Sequence, residues 1–222
     1  MTRSLKRIAA ILCLLLPLAG CVSFTLAKGG ESIDLGEGVT VRPPSDWNRL
    51  SLGKYEYWTL DGLRLQNILF VKGAEDGEAI VYRRRTTEDE EKDTFPKYRK
   101  GMTLLEIREL LESTWARQEF HRVRVTRFGP ASLGGSSGFE IAFAYDTKDG
   151  LEMRGLAAGA VVGGKLYLAI YSGTRIHFFE RGEKDFRAII ESYRLAPGQS
   201  ARARLPAPGA SVGRPATIAA RR

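Results

Sequence analysis

The sequence predicts an α+β domain in which an antiparallel sheet carries helices packed on it. Two observations point to the sheet and one to the helices. Phe139, Ile141, Phe143 and Tyr145 alternate with Glu140, Ala142 and Ala144, a period of two that belongs to a half-buried strand. Asp149-Gly150 and Gly163-Gly164 then punctuate the chain between Leu151–Val162 and Leu166–Tyr171. Three successive strands joined by tight turns make an antiparallel meander. Two further segments place apolar residues at helical spacing, one before the meander and one after it. Helices grouped in this way are expected to cover one sheet face.

Ahead of the meander, Val39-Thr40-Val41 is extended and leads through Pro43-Pro44 to a turn at Trp47. Tyr55–Leu60 reads as a strand, Asp61-Gly62 as a hairpin turn, and Leu63–Val71 as the next strand. Asp76-Gly77 closes the following loop. The stretch from Arg83 to Asp93 is dense in charge of both signs, so it is expected to be a solvated loop. Thr103 with Glu106 three residues on matches a capping box. Leu104, Ile107, Leu110, Leu111 and Trp115 then form the apolar stripe of the first helix. A strand over Val123–Thr126 follows, and Gly134–Gly138 reads as a flexible hairpin loop. The second helix is expected from about Glu183, burying Phe186, Ile189, Ile190 and Tyr193.

The ends of the chain differ from its middle. Arg3, Lys6 and Arg7 precede an apolar run from Ile8 to Gly20, shorter than the roughly 18–20 residues that span a bilayer. Such a run reads as a secretory signal. It closes on Leu18-Ala19-Gly20-Cys21, which resembles the lipobox of bacterial lipoproteins. Residues 1–20 are therefore expected to be a lipoprotein signal peptide and Cys21 the site of lipidation. Residues 21–32 read as a tether, 33–197 as the folded domain, and 198–222 as a disordered basic tail rich in Ala, Pro, Gly and Arg. Of the two cysteines, Cys13 leaves with the signal, so no disulfide is available to the rest.

The formal charge of +8 also resides at the ends. Three of the 34 basic residues lie in the signal, and Arg202, Arg204, Arg214, Arg221 and Arg222 lie in the tail. The 26 that remain match the 26 acidic residues. A nucleic-acid partner thereby loses its main support.

Chemistry-bearing patterns are few. Gly134-Gly135-Ser136-Ser137-Gly138 formally fits G-x-S-x-G, and Asp146 or Asp149 followed by His177 completes the order of a serine hydrolase. A strand rather than a helix follows Gly138, which argues against that chemistry. His121 and His177 read as boundary residues, and Glu109 and Glu112 share an ion-paired helix face with Arg108. Tyr55, Tyr57 and Trp58 read as core rather than as a ligand pocket. With only two histidines and one retained cysteine no Cys/His zinc site is expected, and no phosphate loop or dinucleotide fingerprint appears. No catalytic, cofactor-binding or metal residue is expected.

The turn Pro44-Ser45-Asp46-Trp47, the capped helix, the meander, and a closing helix bearing Phe186, Ile189, Ser192 and Leu195 together resemble the PsbP-like superfamily, which includes DcrB-like bacterial lipoproteins. The resemblance spans about Gly38 to Ala196. It implies an antiparallel sheet of six or seven strands flanked by helices, no shared catalytic residues, and an accessory or binding role. The expectation is thus a non-catalytic envelope lipoprotein that binds a protein partner; the alternative is a binder of a small or lipid-like ligand between sheet and helices. Val22 after the lipidated cysteine points to the outer membrane, facing the periplasm.

Overall fold

The structure, a computed structural model, describes residues 23–82, 95–118 and 120–196. The signal, Cys21, the charged stretch from Arg83 to Asp93 (whose last described neighbours are Tyr82 and Phe95) and the basic tail lie outside the described residues.

Eleven strands and two helices follow in this order: β1 (Thr25–Ala27), β2 (Ile33–Gly36), β3 (Val39–Val41), β4 (Trp47–Leu52), β5 (Tyr55–Thr59), β6 (Gln66–Ala74), α1 (Leu104–Arg117), β7 (His121–Leu133), β8 (Ser136–Asp146), β9 (Glu152–Val162), β10 (Lys165–Thr174), α2 (Phe178–Ser192) and β11 (Arg194–Leu195). Eight strands form one antiparallel sheet in the order β1-β4-β5-β6-β10-β9-β8-β7. A small second sheet has the order β11-β3-β2. The protein is therefore mostly β, with helices in the minority and more strands than the six or seven expected. Three of the additional elements lie where the sequence lacks alternation. Trp47 opens β4 rather than ending a turn. Thr25–Ala27, expected within the tether, pairs with Arg49–Trp47 at the edge of the large sheet.

Glycine chemistry sets the hairpins. Gly134 and Gly135 both have positive φ, as do Gly163 and Gly164, which is what a two-residue I′ turn demands. Gly134-Gly135 joins Leu133 directly to Ser136, so Ser136, Ser137 and Gly138 are strand residues and not a flexible loop. Between β8 and β9 the connection is longer than the expected two-residue turn: Thr147 N–H donates to Leu151 O across residues 147–151.

The two helices lie on opposite faces of the large sheet, not on one. On the first face α1 packs Ile107, Leu110, Leu111 and Trp115 against Phe139, Ile141, Phe143 and Tyr145. Its capping box is present, with Thr103 accepting from the Glu106 N–H and Glu106 accepting from the Thr103 N–H. Leu104, assigned to the stripe, is instead 39% exposed. Trp115 stacks on Phe143 with ring centroids 4.1 Å apart. Gly155 and Gly159 of β9 make this packing possible, since a Cβ at either would lie within 2.1–2.5 Å of the Phe143 or Phe139 ring.

On the second face α2 and the small sheet cover Trp47, Trp58, Phe70, Leu156, Tyr167 and Tyr171. This helix starts five residues before the expected Glu183, because Phe179 as well as Phe186 and Ile189 is buried against Tyr171. β6 and β10 lie at the centre and contribute to both cores: Ile68, Phe70, Tyr167 and Ala169 to one, Leu69, Val71, Leu166 and Leu168 to the other.

One charged cluster is buried with the second core. Glu56 of β5 has no exposed surface and accepts from Trp58 Nε1 at 2.7 Å, Arg49 Nε at 2.7 Å and Lys72 Nζ at 3.3 Å. Lys72, 3% exposed, also donates to the carbonyl of Leu35 in the small sheet. Removing one member of a buried ion pair leaves the other uncompensated, at about 3–5 kcal/mol. Glu56→Ala is therefore expected to destabilise the domain by about that much in urea unfolding, and Glu56→Ala with Lys72→Met to recover more than half of the loss.

Tyr193 presents the opposite case. It is fully buried at the end of α2, and its hydroxyl has no hydrogen-bond partner among the described residues. Burial pushes its phenol far above the ordinary range, and Tyr171 is raised for the same reason. Unfolded phenols lose their protons near pH 10 while the native ones keep them, so stability is full below that pH and declines above it. Tyr193→Phe should raise the melting temperature at pH 7 by about 2–4 °C, corresponding to about 1 kcal/mol. It should also lessen the decline above about pH 10, as read by thermal scans across the alkaline range.

Candidate functional site

The residues singled out in the sequence do not assemble into one centre. Ser136 is buried at the start of β8, and Asp146 ends the same strand ten residues on. At about 3.3 Å per residue they stand roughly 33 Å apart. His177 caps α2 at the Asp146 end, since Arg175 N–H donates to the Glu152 carbonyl and Glu152 pairs with Asp146. Neither Asp146 nor His177 can therefore serve Ser136. His121 is exposed, opens β7, and pairs with Asp146. Arg108 Nε meets Glu112 Oε1 at 2.9 Å, the ion-paired helix face expected. Trp58 is core, while Tyr55 and Tyr57 are half-buried and Tyr55 donates to the Ala79 carbonyl at 2.6 Å. Cys21 lies outside the described residues.

A different set of residues comes together on the α2 face of β7, β8 and β9. Two adjoining cavities of about 340 and 360 Å³ share Thr126, Ala144 and Arg154 in their walls and run from the Asp146 end of the sheet toward α2. Arg122, Arg124, Arg127, Arg154, Arg175 and Arg187 line them.

Strand register explains why so many guanidinium groups share one face. Arg124 pairs with Ala144 and Arg127 with Ala142, and Ala142 and Ala144 point the same way. Three residues separate the two arginines, so in a regular strand they would face opposite sides. A bulge between Val125 and Arg127 restores the match. A second bulge lies between His121 and Arg124, and there Arg122 adopts a positive φ of 50°. Bulges re-aim side chains in this way and also protect an edge strand from pairing with another chain.

Charges along the groove fall in successive rows across the strands. In the first, Arg122 pairs with Asp146 and Arg175 with Glu152. In the third, Arg127 lies opposite Ala142 and pairs with Glu140 of the row beyond, and Arg187 reaches Glu183 at 2.7 Å and Glu140 at 3.8 Å. The row between them holds Arg124 and Arg154 on either side of Ala144. Both are exposed, and neither forms an ion pair among the described residues. Their backbones lie two strand spacings apart, about 9–10 Å. Gly173 completes that row, and a Cβ there would lie 2.9 Å from the Phe179 backbone. Two cations therefore stand in one row whose other members, Ala144, Gly173 and Gln66, carry no charge.

The sequence reading did not single out these arginines. The alternation Arg122-Val123-Arg124-Val125 was visible, but the bulge that adds Arg127 and the pairing that adds Arg154 were not. Among the described residues, no three His, Cys, Asp or Glu side chains group as a metal site, and no helix is long and apolar enough to cross a membrane.

No protein-family model matches the chain, and no curated protein matches it. Among solved structures it is similar to the solution structure of cyanobacterial PsbP (CyanoP) from Synechocystis sp. PCC 6803, at 14% identity over 80% of this chain and 95% of that one, with a TM-score of 0.48. It is also similar to the crystal structure of LpqN, involved in cell envelope biogenesis of Mycobacterium tuberculosis, at 10% identity over 81% of this chain and 88% of that one, with a TM-score of 0.35. No ligand, partner or role is carried over from either protein.

The unbalanced row makes a direct prediction. Ala144→Glu places a carboxylate between Arg124 and Arg154, and opposite charges across strands contribute roughly 0.2–1 kcal/mol. The variant should be more stable than the parent by up to about 1 kcal/mol in denaturant unfolding. Above about 0.5 M salt, where screening removes exposed ion pairs, the gain should vanish.

Proposed function

We propose that this chain is a bacterial envelope lipoprotein, held by lipid on Cys21, whose domain acts as a non-catalytic accessory module binding a protein partner. The observation that carries the reading is Leu18-Ala19-Gly20-Cys21 at the close of a short apolar run behind three basic residues. A thiol after small residues is the nucleophile that takes a diacylglycerol, and two or more acyl chains anchor stably where one binds marginally. Only Val22, Ser23 and Phe24 separate Cys21 from β1, so the domain would sit within about 14 Å of its anchor. With Val22 at the position after the cysteine, the outer membrane is the proposed destination. The open groove supports a binding role. A ligand held between sheet and helices finds less support, because Trp47, Trp58, Phe70 and Tyr171 fill the space under α2 and Leu111, Trp115 and Phe143 the space under α1.

In membrane fractionation with acyl labelling, the parent chain should be labelled and sediment with membranes, whereas Cys21→Ala should be unlabelled, soluble and folded. An unlabelled parent, or a mutant that still sediments, removes the lipoprotein reading. Crosslinking in intact envelopes addresses the partner: recovery of one discrete protein adduct is expected, and adducts only to itself or to none would refute it.

A further inference from the structure

We infer that the groove between β7–β9 and α2 receives an extended, acidic segment of the partner protein, with Arg124 and Arg154 as its carboxylate anchors; this rests on the protein-binding reading above. Like charges in one sheet row are unfavourable, and an Ala at the middle position leaves them unrelieved. The neighbouring arginines show that the fold readily supplies carboxylates on this face. Asp146 and Glu152 do so at one end, and Glu140 and Glu183 at the other. In the row of Arg124 and Arg154 the described residues supply none. Guanidinium groups bind carboxylates through paired N–H donors, so an incoming Asp or Glu makes the contact that the row lacks.

Shape decides among anions. The two cavities lie end to end, and beyond the arginines the floor is apolar, made by Ala142, Leu156 and Phe179. An elongated channel with cations at one level and apolar floor at the next suits a peptide that alternates acidic and apolar side chains. A compact phosphate uses only the first feature, and the carboxylates of Asp146 and Glu152 stand beside its place of entry. The start of the described chain is also remote from the groove. β1 and β7 are opposite edges of the eight-stranded sheet, about 34 Å apart at 4.8 Å per strand. β1 moreover begins toward the Gly53 end of the sheet, and the unbalanced row lies toward the other end.

The test uses the full chain in detergent micelles and a fluorescein-labelled peptide, Glu-Leu-Glu-Ala-Glu-Leu, followed by anisotropy at low salt. The parent chain should bind it. Arg124→Gln with Arg154→Gln should raise Kd at least about tenfold, the loss of one to two charge-assisted contacts. Ala144→Glu, which keeps the fold and supplies the carboxylate from within, should do the same, while Lys28→Gln, beside β1 at the opposite edge of the sheet, should bind as the parent does. No binding by the parent chain, equal binding by the groove variants, or displacement of the peptide by equimolar inorganic phosphate would each overturn the inference. So would groove-dependent binding to phosphatidylglycerol vesicles with no binding of the peptide, which identifies a lipid headgroup instead. The crosslinking experiment separates the two levels: an adduct formed equally by parent and groove variants refutes the groove and keeps the partner, whereas no adduct from the parent refutes the partner itself.

Discussion

A carboxylate without solvent contact organises one half of the molecule. Glu56 draws donors from three neighbouring strands, β4, β5 and β6, and through Lys72 reaches the Leu35 carbonyl of the small sheet. Burying this charge is costly unless every lone pair is engaged, and here Arg49, Lys72 and Trp58 together engage it. The arrangement holds only if the strands keep a register in which Arg49 lies opposite Trp58 and Glu56 opposite Phe70. A slip by one residue would turn Glu56 to the α1 face, among Leu69, Val71 and Tyr55 and away from Arg49 and Lys72. The network thus specifies the register of the β4–β6 side and the seat of the small sheet above it, which apolar packing alone constrains loosely.

The other half is fixed by shape. β8 presents Phe139 and Phe143 to α1, and β9 answers with Gly159 and Gly155 directly opposite. Rings lie across the neighbouring strand where a Cβ would stand. The large aromatic residues and the glycines are one feature distributed over two strands, and neither is interpretable alone. Viewed in sequence, Gly155 and Gly159 weaken a strand. In the sheet they are the condition for stacking Trp115 on Phe143.

Much of the meander was legible because alternation and glycine pairs are local signals. Gly163-Gly164 and the Phe139–Tyr145 face are where the pattern put them, as is the Thr103–Glu106 box. The side of the sheet taken by each helix was not legible from helix patterns. It was foreshadowed by Leu166-Tyr-Leu-Ala-Ile-Tyr171, a strand apolar at every position, which requires cover on both faces. Short strands such as Thr25–Ala27 owe their existence to a partner, Trp47–Arg49, and carry no pattern of their own. The groove was hidden for a related reason. Whether Arg124, Arg127 and Arg154 share a face depends on a bulge and on pairing through Ala144, and both are properties of strand pairs rather than of the chain.

The edge strand β7 illustrates how a structural need and a binding surface can be met by the same residues. A thirteen-residue edge strand invites pairing with another chain, and charges and bulges are the usual protection. Arg122, Arg124 and Arg127 with their two bulges would suffice for that purpose, and Arg122 and Arg127 are moreover neutralised by Asp146 and Glu140. Protection does not account for Arg154. It lies on β9, with β8 and β10 paired on either side, where no edge needs defending. Its cation faces Arg124 across Ala144 and has no ion-pair partner among the described residues. Among the described residues Arg154 neither caps, pairs nor protects, and it is the residue that separates the proposed groove from a well-guarded edge.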